Sequence, residues 1–307
     1  MQRMKQCDVR PGWHVPGKIT GEYGADRTNT VTYVFNSRGY RGEEYNPASK
    51  FRICVIGEND GFGVGLNIED TFGYKLKQHI AASLQLGADD VNLINFSAGG
   101  ASPDYCVRTL YRQLPDCDVD LVVCQLPPAN RTEYYDGRVF RMYAANGVTP
   151  SNRDNASIPL VAFCDYYNDL LGRINLVKNV LLVQAFLKER KIDYVIATED
   201  QLFEMTAIDD STGYLRWLDK GALLLHQYFS CKADRAAGGR NAGRRCHAAL
   251  AIEILSFAGH RQVERGNHGF GQRMLNYASH LRATDKDWEF CIIHIAKLIA
   301  KQERAMT

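Results

Sequence analysis

Four short runs constrain this chain more than any other feature: RICVIG (52–57), VNLINF (91–96), DLVVCQL (120–126) and IDYVIAT (192–198). Each is almost uninterruptedly apolar and ends in glycine, proline or polar residues. A strand that meets water on one face alternates in polarity. A strand covered on both faces does not, and such strands belong to parallel sheets. The stretches between the runs carry helical spacing. Residues 69–84 place Phe72, Leu76, Ile80 and Leu84 on one face at four-residue intervals. Residues 103–114 read as a helix with Pro103 in its first turn. A long helix is predicted over Tyr166–Arg190, and further helical patterns at 213–229, 245–257 and 286–303. Strands alternating with helices give right-handed βαβ units. The expected fold class is therefore α/β, a three-layer α/β/α sandwich with a mostly parallel sheet of flavodoxin-like type.

Residues 1–50 are polar and rich in Gly, Tyr and Arg, with one strand-like run at Thr30–Phe35. They read as an N-terminal extension, 51–258 as the α/β domain, and 259–307 as a C-terminal helical segment packed on it. The chain has 307 residues, of which 45% are hydrophobic and 23% charged, so a disordered or collagenous protein is excluded. A formal net charge of +2 is too balanced for attraction of the whole molecule to nucleic acid or membrane. No apolar run approaches the roughly 20 residues that cross a bilayer. The sequence MQRMKQCDVRPGW lacks the hydrophobic stretch of a secretory signal. Nine scattered cysteines, several inside apolar runs, read as reduced buried thiols in a cytoplasmic compartment. No Cys/His cluster has metal-ligand spacing, so neither metal nor cofactor is expected.

Parallel sheets bind ligands in the loops that leave the carboxyl ends of their strands. Those loops are GENDGFGVG (57–65), NFSAGGASPDY (95–105), LPPANRTEYY (126–135) and ADRAAGGRNAGRRCHAALA (233–251). The first is dense in glycine but has neither a dinucleotide fingerprint nor a P-loop lysine.

In order and spacing, these blocks resemble those of the SGNH (GDSL-type) hydrolases, over about Asn36 to Leu255. RICVIGEND-GFG resembles the first strand and the block usually written GDSxxxG. NFSAGG resembles the second block, which would make Gly100 an oxyanion-stabilising N–H. NRTEYY resembles the third, which would make Asn130 the oxyanion-hole amide. GRNAGRRCHAALA resembles the last block, usually DxxHPGxxxH. The resemblance implies an esterase or acyltransferase scaffold, with Gly57, Gly63, Gly100, Asn130, Gly243 and His247 as retained parts.

The reactive positions depart from that pattern. The serine position holds Asn59, the histidine position Asn241, the aspartate position Gly238, and the proline after the histidine is Ala242. Acyl transfer needs a hydroxyl made nucleophilic by an imidazole that a carboxylate orients. An amide neither attacks at neutral pH nor takes the proton, and deleting such a triad costs about a millionfold. The expectation is a non-hydrolysing protein that holds an acyl-ester, carbohydrate or anionic small molecule through Glu58, Asn59, Asp60, Gly100, Asn130, Arg240 and Asn241. The alternatives are an esterase or acyltransferase with a relocated nucleophile (Cys54, Cys124 or Cys246), a different reaction on the retained oxyanion groups, or an interaction protein with a vestigial pocket. Arg235, Arg240, Arg244 and Arg245 suggest a cationic rim. Tyr134, Tyr135 and Trp217 suggest a ligand groove. Segment 259–285 has no functional reading from sequence.

Overall fold

A computed structural model describes residues 17–23, 29–135, 140–145, 158–198, 212–226, 228, 233–237 and 241–306. Two strands near the N-terminus, β1 (Gly17–Tyr23) and β2 (Asn29–Phe35), pair antiparallel. Then come β3 (Phe51–Ile56), the single turn α1 (Asn59–Phe62), α2 (Phe72–Leu84), β4 (Val91–Asn95), α3 (Pro103–Gln113) and β5 (Leu121–Gln125). A hairpin of β6 (Arg131–Tyr135) and β7 (Phe140–Ala144) follows, then α4 (Ile158–Tyr166), α5 (Asp169–Glu189), β8 (Asp193–Thr198) and β9 (Leu223–Leu225). The chain ends in three helices, α6 (Arg244–Glu264), α7 (His268–Thr284) and α8 (Lys286–Met306).

The central sheet comprises, among the described residues, five strands in the order β4-β3-β5-β8-β9, every neighbouring pair parallel. The fold class read from sequence is the one observed. The apolar runs have a direct explanation. Alternate strand residues enter opposite cores: Cys54, Ile56, Val122, Cys124 and Ile196 face α3 and α5, whereas Ile53, Val55, Leu121, Val123 and Val195 face α2, α6 and α7. Both faces are buried, so both sets are apolar. The chain runs outward from β3 to β4 and then returns past β3 to β5. The strand order therefore reverses between β3 and β5, the place where such sheets open a crevice.

Several expectations need correction. The helix expected at 213–229 is instead two short 3-10 turns (Tyr214–Trp217 and Lys220–Ala222) leading into β9. Leu223, Leu224 and Leu225 pair with Ile196, Ala197 and Thr198, and backbone pairing at a sheet edge overrides local helical spacing. The long helix expected over 166–190 is present as α5, but it starts at Asp169, and Tyr166 instead ends α4. Asn168 accepts the Leu171 N–H at 2.8 Å and starts α5 afresh. The hairpin β6–β7 lies in a stretch that read as loop. Among the described residues, α5 does have the length and apolar content of a membrane-crossing segment, contrary to the sequence expectation. Half of that segment is nevertheless buried, with Leu176, Val177, Val180 and Leu187 in the core.

Residues 29–50 are seated against the domain. Val31, Tyr33 and Phe35 pack on Phe62 and Val64 just after β3. Helix α6 passes through residues 258–259 without a break. It crosses α7 where Gly259 meets Gly271. A Cβ on Gly271 would stand 2.5 Å from the Gly259 carbonyl oxygen and 2.8 Å from the Val263 nitrogen, both rigid backbone. Gly271→Val is therefore expected to destabilise by about 3 kcal/mol, the upper range of overpacking, and to lower the melting temperature by roughly 6–10 °C. A melt within 2 °C of wild type would contradict this close approach.

Candidate functional site

The site is built at the carboxyl ends of β3, β5 and β8. Glu58, Asp60, Gln125, Leu126, Pro127, Pro128 and Thr198 line a cavity of about 250 Å³. Each reaches it for a local reason. Gly57 ends β3 without a side chain, and a Cβ there would lie 2.6 Å from Gln125 Oε1. The Gln125 amide can thus lie across the strand end and accept the Glu58 N–H at 3.1 Å. Residues 59–62 then make one helical turn, closed by Gly63 in the left-handed region (φ +78°). The next loop folds against it: the Ala98 N–H donates to the Gly57 carbonyl at 3.0 Å, and Asn95 Nδ2 donates to the Gly61 carbonyl at 3.0 Å.

Two contacts define the chemistry. The Gly100 N–H donates to Asn59 Oδ1 at 2.9 Å. Glu58 Oε2 forms an ion pair with Arg131 Nη1 at 2.7 Å, both side chains largely buried. Arg131 also lies along Gly100, whose φ is +75°; a Cβ on Gly100 would be 3.6 Å from its Nη1. The structure therefore brings together Glu58, Asn59, Asp60 and Gly100 from the sequence reading, and adds Arg131, Gln125 and Thr198, which that reading passed over. Gln125 had a signal, as the lone amide in an otherwise apolar strand. Thr198 is the last residue of the fourth apolar run, IDYVIAT. Arg131 had none beyond its place beside Asn130.

The remaining candidates are less central. Asn130 is half-buried at the foot of β6, and its carbonyl accepts the Ala145 N–H at 2.8 Å. The Asn241 carbonyl accepts the Ala236 N–H at 3.1 Å. Neither lines the cavity. Gly238 and Arg240 lie outside the described residues. The loop before α6 does touch the first loop, because the Ala237 N–H donates to the Gly65 carbonyl at 3.0 Å. Gly243 lets Asp234 approach and cap α6 through the Arg245 and Cys246 N–H groups, at 3.0 and 3.1 Å. Arg245 pairs with Asp287 at 3.3 Å and lies 4.4 Å from the Phe290 ring, turned to α8 rather than to a cavity rim. Trp217 stands two residues from Asp219, whose carboxylate accepts the Tyr194 hydroxyl near the start of β8, and none of Trp217, Tyr134 and Tyr135 lines the cavity.

His247 is 1% exposed, and Nδ1 accepts the Phe72 N–H at 3.0 Å, one of the unpaired donors that open α2. Burial, aided by the positive charges of Arg41 and Lys75, pulls its pKa down to about 3. It is a neutral capping group. Cys54, Cys124 and Cys246 have no exposed surface. Burial pushes the Cys54 thiol well up, with Cys117 and Cys124 adding to it, so it is no ready nucleophile. Among the described residues no group of three or more His, Cys, Asp or Glu side chains is placed to hold a metal.

No family model matches the chain, and no curated protein matches it. Solved structures do. It is similar to LAE5, an alpha/beta hydrolase enzyme from the metagenome of Lake Arreo, Spain (12% identity, 69% of this chain and 96% of that one, TM-score 0.40). It is also similar to the psychrotrophic esterase EstA from Pseudoalteromonas sp. (11%, 69% and 98%, TM-score 0.41). A third is a carbohydrate esterase whose active site displays divergent catalytic and non-catalytic binding functions (13%, 79% and 71%, TM-score 0.40).

Proposed function

We propose that this chain binds a small hydroxyl-rich molecule, of carbohydrate type, in the cavity at the ends of β3, β5 and β8, and does not cleave esters by the serine route. One observation carries the second half of this reading: Asn59 Oδ1 accepts the Gly100 N–H. An oxyanion hole works by offering donors to charge that develops in the transition state. Here an amide oxygen already takes that donor, and the partial charge it presents has the same sign as an oxyanion. The Asn59 NH₂ group keeps its two hydrogens for donation.

The lining supports the first half. Two carboxylates, an amide and a hydroxyl offer acceptors to ligand hydroxyls, and Pro127 and Pro128 offer an apolar face to ring C–H groups. The charge of Glu58 is met by Arg131, so no large field selects a cation. An anion would meet Asp60.

Calorimetric titration with methyl glucoside, methyl xyloside, N-acetylglucosamine, acetate and phosphate tests the ligand class. Saturable binding of a neutral sugar is expected and must weaken at least tenfold in Gln125→Ala; binding of acetate or phosphate alone overturns it. Hydrolysis of p-nitrophenyl acetate is expected at the buffer rate for wild type and also for Asn59→Ser, because a hydroxyl alone lacks a base. Saturable turnover that Asn59→Ala abolishes would sink the non-hydrolysing reading.

A further inference from the structure

The inner side of α8 is committed to the core. Cys291 is buried, Trp288 and Ile295 pack on the same cluster, and Trp288 Nε1 donates to Glu253 on α6 at 2.8 Å. The outer side faces solvent, and it is apolar. Phe290, Ile292 and Ile293 are 38%, 36% and 47% exposed, and the exposed Ala296 and Ala300 continue the same side of the helix. The neighbouring α7 behaves differently. Along its middle the exposed residues are Gln272, Arg273, Asn276, Ser279 and His280. A single exposed apolar residue is ordinary, but a contiguous row of five marks a surface that meets something.

The charges on that face say what it meets. Glu289 and Lys297 are both exposed, and Ile293 lies midway between them, four residues from each. They stand about 12 Å apart along the helix, too far to bond each other. Among the described residues no ion pair joins either of them to the rest of the chain. A second copy of α8, turned end for end about an axis through Ile293, answers both charges. Glu289 then lies opposite Lys297 of the second copy, and by symmetry the contact is made twice. Ile293 lies opposite Ile293. Phe290 faces Ala296, large against small, and the stem of Lys286 covers Ala300. A parallel pair would instead set Glu289 against Glu289 and Lys297 against Lys297. An anionic lipid surface would meet the Glu289 carboxylate on the apolar face itself.

We propose that the outer face of α8 is the interface of a two-fold homodimer, in which two copies of the helix pair antiparallel about Ile293. No residue of α8 lines the cavity, so each copy keeps its own, and the pairing stands whichever ligand that cavity takes.

The test is sedimentation velocity on the whole purified chain over about 1–100 μM. Twice the mass of the chain is expected at the upper end. Ile293→Glu sets two carboxylates against each other on the axis and should raise the dissociation constant at least a hundredfold. Because the position is exposed, its melting temperature at about 1 μM should stay within about 2 °C of wild type. Glu289→Lys and Lys297→Glu should each weaken the pair about tenfold, and both together in one chain should restore it. Under a mild oxidant, Ile293→Cys should link to itself across the axis. Ala300→Cys, about 21 Å from its counterpart, should not. A chain that stays monomeric throughout overturns the proposal, and its binding to vesicles of phosphatidylcholine and phosphatidylglycerol would assign the face to lipid. A dimer that Ile293→Glu leaves intact also overturns it, as does linkage at Ala300→Cys as fast as at Ile293→Cys. The wild-type mass and the Ile293→Cys link decide the matter even if Ile293→Glu does not fold.

Discussion

Lowering the pH from 7.5 to 5 is expected to remove at least about 4 kcal/mol of stability through two histidines alone. Burial depresses the pKa of His226 and of His247 to about 3. A third, His79, is lowered to about 4 by burial, which outweighs the opposing charge of Asp285 and is helped a little by Lys75. All three stay neutral in the folded chain where an exposed imidazole, near 6.5, takes up a proton. Below pH 6.5 the unfolded state therefore binds more protons than the folded one, and stability falls with pH at about 1.4 kcal/mol per unit per histidine. The loss begins near pH 6.5 and continues toward the folded values of 3 to 4. At pH 5 each buried ring accounts for about 2 kcal/mol, and His79 adds up to a similar amount. Urea titrations at pH 7.5, 6.5, 5.5 and 5 measure the slope directly. His247→Asn keeps an acceptor for the Phe72 N–H but cannot titrate, so its slope should be shallower by about 1.4 kcal/mol per unit. Equal stability at pH 7 and pH 5 would show that these rings are not held neutral.

The residues that were legible in the sequence are those whose reason is local. RICVIG and DLVVCQL announce strands because both faces of each strand are buried, and no partner need be known to see that. Gly57, Gly63 and Gly100 announce the site because a close approach or a positive φ requires glycine at each. Loop order then places the crevice. What was not legible depends on partners distant in the chain. Leu223–Leu225 looks helical until β8 is beside it. Arg131 is an ordinary hairpin residue until Glu58 faces it. Nothing in GENDGFGVG says that the Asn59 amide turns back onto the Gly100 N–H, and that contact separates a poised oxyanion hole from a filled one.

Arg41→Met is expected to destabilise the chain by about 5 kcal/mol and to loosen the site at the same time. Arg41 is 1% exposed, and no pattern in NSRGYRGEEY marks it as interior. Its guanidinium donates to three carbonyls of the first loop: Phe62 at 2.7 Å, Gly63 at 2.6 Å and Leu66 at 2.6 Å. It also lies 4.6 Å from the Tyr33 ring and 5.3 Å from the Phe62 ring. One side chain thus ties β2 to the turn that closes α1, immediately beyond Glu58, Asn59 and Asp60. Hydrogen bonds to a charged group contribute about 1.5–3 kcal/mol each, and methionine fills the volume without supplying a donor. The melting temperature should fall by roughly 10–20 °C. Arg41→Lys should recover only part of this, because one ammonium cannot span carbonyls that the planar fork reaches with two nitrogens. Amide exchange gives the second readout. The Gly100 N–H, held by Asn59 Oδ1, should exchange faster in Arg41→Met than in wild type, at a temperature where both are folded. Unchanged protection of Gly100 would mean that the first loop keeps its shape without the arginine, and that the hold on Asn59 comes from the glycine turns alone.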